Sequence, residues 1–257
     1  MKWTPVRDYE EMSQLAALRM FNALTRNLAA KREATAGLAT GNTMIRLYEL
    51  LAQKLNEAGL GLAGFSTFNL DEYVGNDGLN VAPSHPLSYR KYMTEHFYDL
   101  LEPRLGFRLE SLLFPDAENP TKIDQRIAAI GGLDIQLLGI GFNGHIAFNE
   151  PIRAGEISEQ AFAALPSRVI QLSELTLQTN ARLTADGDLT QVPGQAVTLG
   201  MASILKAREI MLLACFREQT DPLARIKAGI ISTENPASFL LKHPSVEVIY
   251  TTDTIKL

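Results

Sequence analysis

Cysteine is almost missing. Cys215 is the only one in 257 residues, which excludes an intrachain disulfide and any zinc site built on cysteine pairs. Histidine is scarce too. His85, His96, His145 and His243 are scattered, with no metal-ligand spacing. Positive charge is not in excess: 24 Lys and Arg against 29 Asp and Glu give a net charge of −5. A broad basic field for nucleic acid or an anionic lipid surface is therefore absent. No apolar run approaches the roughly 18–20 residues that cross a membrane. The opening residues, MKWTPVRDYEEM, lack the apolar core of a secretion signal. These absences predict a cytoplasmic protein with neither membrane nor nucleic-acid partners.

What is present is ordinary globular composition, 46% hydrophobic and 21% charged, in a length that suits one domain over residues 1–257. No repeat, linker or low-complexity tract divides it. Residues 8–31 read as a helix capped by Asp8, with an apolar stripe from Met12 to Leu28. A short strand follows at 35–40, a helix at 44–57, and a strand at 65–70 that ends at Asp71-Glu72. Residues 75–86 form a polar loop. A helix at 87–100, a strand at 109–114 and a helix at 121–130 come next. Leu133–Ile140 is a buried strand. Residues 151–195 lack firm periodicity and are expected to form a lid-like excursion. The remainder reads as helix (199–206), strand (209–215), helix (222–228) and strand (246–251). Strands alternating with helices predict a doubly wound, mostly parallel α/β sheet with helices on both faces.

Ligands of such sheets sit beyond the carboxyl ends of the strands. Three segments place unusual chemistry there. Ala39-Thr-Gly-Asn-Thr43 joins a strand to a helix. Thr40, Gly41, Asn42 and Thr43 can offer N–H and hydroxyl donors to an anion at a helix N-terminus. The same residues would also serve as a plain Thr-capped turn. In Asn69-Leu-Asp-Glu-Tyr73, adjacent carboxylates point to opposite sides. A cleft-facing Asp71 is a candidate proton-abstracting base, the bland reading being a turn cap. Gly139-Ile-Gly-Phe-Asn-Gly-His145, running on to Asn149-Glu-Pro151, puts His145 in a Gly-rich turn with Asn143 and Glu150 close by. That is an acid–base group with orienting partners. One His and one Glu fall short of a metal's coordination shell.

These stretches resemble the glucosamine-6-phosphate deaminase/isomerase family. The matching residues are GLATGNT (37–43), FNLDEYVG (68–75), HPLSYRKYM (85–93) and LGIGFNGHIAFNEP (138–151), with weaker echoes at 179–182, 191–193 and 196–200. The resemblance implies a Rossmann-like sheet, no metal and no organic cofactor. It implies isomerisation of an amino sugar phosphate with loss of ammonia, glucosamine 6-phosphate being the default substrate. Asp71 would move the proton between C2 and C1, and His145 would assist ring opening. Asn143 and Glu150 would belong to the network that orients it. Thr40 to Thr43 with Arg182 would hold the phosphate. Galactosamine 6-phosphate, lactone hydrolysis as in the related 6-phosphogluconolactonases, and a non-catalytic sugar-phosphate-binding role stay open. So does a homo-oligomer.

The chain departs from the family pattern at several points. Asn143 stands where many members have Asp. Asn42 and Met44 replace a small residue and Pro. Gln219 falls at a phosphate-binding Lys, with Arg217 nearby as a substitute cation. Ile170 falls where allosterically regulated members carry a basic residue, so no activation of that type is expected.

Overall fold

A computed structural model describes all 257 residues. Its strands are β1 (Lys2–Val6), β2 (Ala34–Leu38), β3 (Phe65–Asn69), β4 (Asp71–Val74), β5 (Leu112–Leu113), β6 (Ile135–Gly139), β7 (Arg168–Gln171), β8 (Gln195–Thr198), β9 (Glu209–Ala214) and β10 (Val246–Thr251). Its helices are α1 (Tyr9–Lys31), α2 (Ile45–Ala58), α3 (Tyr89–His96), α4 (Thr121–Ala129), α5 (Glu159–Ala163), α6 (Glu174–Thr184), α7 (Met201–Ile204) and α8 (Thr220–Lys227).

Seven strands form one sheet in the order β1-β10-β9-β6-β2-β3-β5, every pairing parallel. From β2 the chain steps outward through β3. From β6 it steps the other way through β9 to β10. Right-handed crossovers therefore lay helices on opposite faces, and the direction reverses between β2 and β6. The central strands are apolar on both sides, as buried parallel strands must be: Leu137, Leu138, Leu212 and Leu213 are fully buried. The α1 helix starts as expected, with the Asp8 carboxylate accepting from Glu11 N–H at 2.9 Å.

Three expectations are corrected. The chain does not begin with a helix: β1 pairs with β10 at the sheet edge. Asp71 and Glu72 do not close the third strand of the main sheet. That strand stops at Asn69, and Asp71 opens β4 in a separate antiparallel sheet, β4-β8-β7. Residues 151–195 are not irregular, because they hold α5, β7, α6 and the start of β8. The small sheet has its own apolar cluster, including Tyr73, Phe148, Leu172 and Ala181. It thus forms a second layer standing over the strand ends.

Candidate active site

The carboxyl ends of β2, β6 and β9 converge beside β4, and the loops they feed enclose a cavity of about 160 Å³. Thr40, Gly41, Asn42, Thr43, Asp71, Asn143, His145 and Gln219 all line it. Most of the residues expected at the site therefore meet in one place.

After β2 the chain turns at Gly41, whose φ of +111° suits a residue without a side chain. Its carbonyl accepts from the Tyr92 hydroxyl at 2.7 Å, and the Asn42 carbonyl accepts from Tyr9 at 3.0 Å. Both turn carbonyls face away, pinned by phenols. The N-cap residue Met44 makes no side-chain cap, and the Tyr9 hydroxyl accepts from Arg46 N–H at 3.2 Å in the first turn of α2; the turn before it presents N–H groups and two Thr hydroxyls to the cleft. It can accommodate an anion.

Asp71 is 7% exposed. Its Oδ1 accepts from Phe148 N–H at 3.2 Å, and that N–H also donates to Thr198 Oγ1 at 2.9 Å. Burial pushes the Asp71 carboxyl up to about 7; Thr198, the Phe148 N–H and the His145 charge hold it back, and Glu72 adds a small push upward. Glu72 points the other way. It accepts from Tyr73 N–H, Tyr89 N–H, Arg90 N–H and the Ser88 hydroxyl, each at 2.9 Å. Adjacent carboxylates thus divide the work by strand alternation: one faces the cavity and one anchors the start of α3.

The β6 loop carries His145 over Gly141. A Cβ on Gly141 would stand 2.4 Å from the imidazole Cε1 and Nε2. Nδ1 of His145 faces Glu150 Oε2 at 3.6 Å and the Thr176 hydroxyl at 3.5 Å. Glu150 accepts from Thr176 at 2.6 Å and from Asn143 Nδ2 at 2.7 Å. Burial raises the Glu150 pKa, but His145 first, then Thr176 and Asn143, outweigh it and hold the carboxyl at about 2. Glu150 is therefore ionised across the working pH range, and Asn143 supplies it a donor that Asp could not. The Asn143 Oδ1 accepts from His145 N–H at 3.1 Å, which closes the turn.

Two candidates stand differently from expectation. Arg182 does not line the cavity. It lies seven residues after Leu175, on the same face of α6, but its half-exposed guanidinium pairs with Glu218 at 3.2 Å and lies 5.6 Å over the Phe142 ring. Gln219 lines the wall with its polar atoms already engaged: Oε1 accepts from Cys215 and Phe216 N–H, both at 2.8 Å, and Nε2 donates to the Ile140 carbonyl at 2.7 Å. Arg217 is exposed. No Lys or Arg is among the cavity-lining residues.

Thr176, Tyr89 and Phe148 were not among the expected site residues, although Tyr89 and Phe148 lie inside the 85–93 and 138–151 stretches. Thr176 reaches Glu150 only because α6 packs across the β6 loop. Tyr89 and Phe148 stack with centroids 6.0 Å apart and form an aromatic wall beside Asp71. No group of three or more His, Cys, Asp and Glu side chains stands within metal-binding reach.

The profile of the glucosamine-6-phosphate isomerases/6-phosphogluconolactonase family matches residues 7–164. A glucosamine-6-phosphate deaminase of Geobacillus sp. (strain WCH70) is 37% identical over all of this chain and 96% of its own. Among solved structures, a monomeric glucosamine-6-phosphate deaminase superimposes with a TM-score of 0.85 at 31% identity, covering 99% of this chain and 98% of that one. A 6-phosphogluconolactonase from Thermotoga maritima reaches a TM-score of 0.69 at 15% identity over 97% of this chain and 98% of its own, a likeness of fold.

Proposed function

The chain belongs to the glucosamine-6-phosphate isomerase/6-phosphogluconolactonase family of enzymes, and from that premise we propose that it converts glucosamine 6-phosphate to fructose 6-phosphate and ammonia. The observation that carries this choice is Asp71. It is a buried carboxylate at the cavity wall, brought to about 7 by burial, a value at which it can both take and return a proton near neutrality. Lactone hydrolysis needs a base for water but gives no work to a second, carbon-directed base.

His145 passes a proton between the ring oxygen and the C1 hydroxyl, opening the pyranose to the aldehyde. Ionised Glu150, fixed by Thr176 and Asn143, faces His145 Nδ1 and orients the imidazole. Asp71 takes the proton from C2, the electron pair forms the C1–C2 double bond, and the aldehyde oxygen gains a proton. The resulting enolamine accepts the Asp71 proton at C1, leaving an imine at C2. Water adds to the imine carbon, the C–N bond breaks, and ammonia departs. The Thr40–Thr43 turn and the α2 N-terminus receive the phosphate, with Arg182 recruited from Glu218 as its cation. Residues 151–195 supply the wall that closes over the sugar. One cytoplasmic domain acts in this way on a freely diffusing sugar phosphate.

The test is an ammonia-release assay with the 6-phosphates of glucosamine, galactosamine and mannosamine, beside a lactonase assay with 6-phosphogluconolactone. Ammonia equal in amount to ketose from the glucosamine compound supports the reading. Lactone hydrolysis without ammonia release overturns it.

A further inference from the structure

Gln219 is 3% exposed. Its three hydrogen bonds join the turn after β9 to the turn after β6, at 2.8, 2.8 and 2.7 Å. Those turns carry Phe216 and Phe142, whose rings meet edge to face with centroids 5.8 Å apart at the cleft rim. Arg182 rests over Phe142 and pairs with Glu218, the residue beside Gln219. Both surfaces that station Arg182 are thus set by one buried amide. An amide suits this place because it accepts two N–H bonds and donates one; an ammonium could make only the third, and a carboxylate only the first two.

We propose that Gln219 is a positioning residue that clamps the β6 and β9 turns and, through Phe142 and Glu218, places Arg182 to engage the anionic end of the substrate. Gln219 does not itself contact that anion. The proposal rests on the sugar-phosphate reading above, in which Arg182 is the phosphate cation.

A double-mutant cycle tests it, using glucosamine 6-phosphate and reading KM and kcat separately. Gln219→Leu removes all three bonds and should raise KM about tenfold, the part of that loss felt by Arg182 being on the scale of one buried hydrogen bond, with a smaller change in kcat. In the Arg182→Ala background the same substitution should raise KM less than about twofold, because coupled residues do not add. Gln219→Lys should raise KM as Leu does. The proposal is overturned if Gln219→Lys lowers KM, if the Gln219→Leu and Arg182→Ala effects multiply, or if folded Gln219→Leu keeps the KM of the parent. Should Gln219→Leu not fold, Gln219→Glu, which keeps the two acceptor bonds, runs the same cycle with the same criteria. An Arg182→Ala enzyme with unchanged KM would instead count against Arg182 as the phosphate cation. No ammonia release from the parent chain would count against the reaction.

Discussion

Asp71 on the cavity wall and Glu150 beside the His145 ring are two carboxylates with opposite shifts, and each makes a prediction of its own sign. Asp71 is raised from 3.8 to about 7, so the folded state holds its proton more tightly than the unfolded state does. Stability from this group is present at low pH and is lost as pH rises from about 4 through about 7. Asp71→Asn should therefore stabilise the protein by roughly 1–4 kcal/mol at pH 8, read as a higher Tm, while lowering turnover by about 10²–10⁴. A destabilised Asp71→Asn, or one with parental turnover, contradicts the assignment. Because only the ionised carboxylate takes the C2 proton, kcat/KM should rise with pH up to about 7. Glu150 is lowered to about 2. Its stabilisation is complete above its ordinary pKa and disappears as pH falls toward 2, so Glu150→Gln should flatten the acid limb of a stability–pH profile. His145 adds a steric test. Gly141→Ala should leave the fold intact and displace the imidazole, reducing kcat well over tenfold; unchanged kcat would mean that the ring does not need this seat.

Among the elements, the β6 loop is the most exacting. Gly144 has a φ of +87°, and a Cβ there would meet Asn235 Oδ1 at 2.1 Å. Gly144→Ala should cost more than about 1 kcal/mol from the backbone conformation alone, measured by denaturant titration, and a neutral result would show that the loop relaxes freely. This loop was legible in the sequence because glycine marks where a chain bends and Asn143, His145 and Glu150 are its neighbours. The Thr40–Thr43 turn was legible for the same reason. The elements that escaped do not advertise themselves locally. The β1 strand contains Pro5 and sits at an edge, where its only partner is β10, with Lys2 opposite Glu247 at the far end of the chain. The β4 strand begins with two carboxylates, which read as a turn until Thr198 opposite Asp71 and the N–H groups of α3 opposite Glu72 are in place. In β7, Val169 is over one third exposed, so its alternation is faint. The positions of Arg182 and Gln219 were legible as candidates, but not what their side chains touch, because Glu218 and the Ile140 carbonyl reach them only through the fold.

For the molecule as a whole, the parallel sheet and its reversal between β2 and β6 gather loops far apart in sequence, and the small sheet carries Asp71 across their open end. Alternating strands and helices made that architecture readable; the small second layer was hidden inside a stretch with no clear period. The central claim is that this assembly removes a proton from C2 of an amino sugar phosphate and releases its nitrogen. The most direct test compares ammonia release from glucosamine 6-phosphate and from the same sugar deuterated at C2, at substrate concentrations well below KM. Ammonia released with a clearly slower rate for the deuterated sugar is the expected result. Equal rates for the two, or no ammonia from either, would contradict the account.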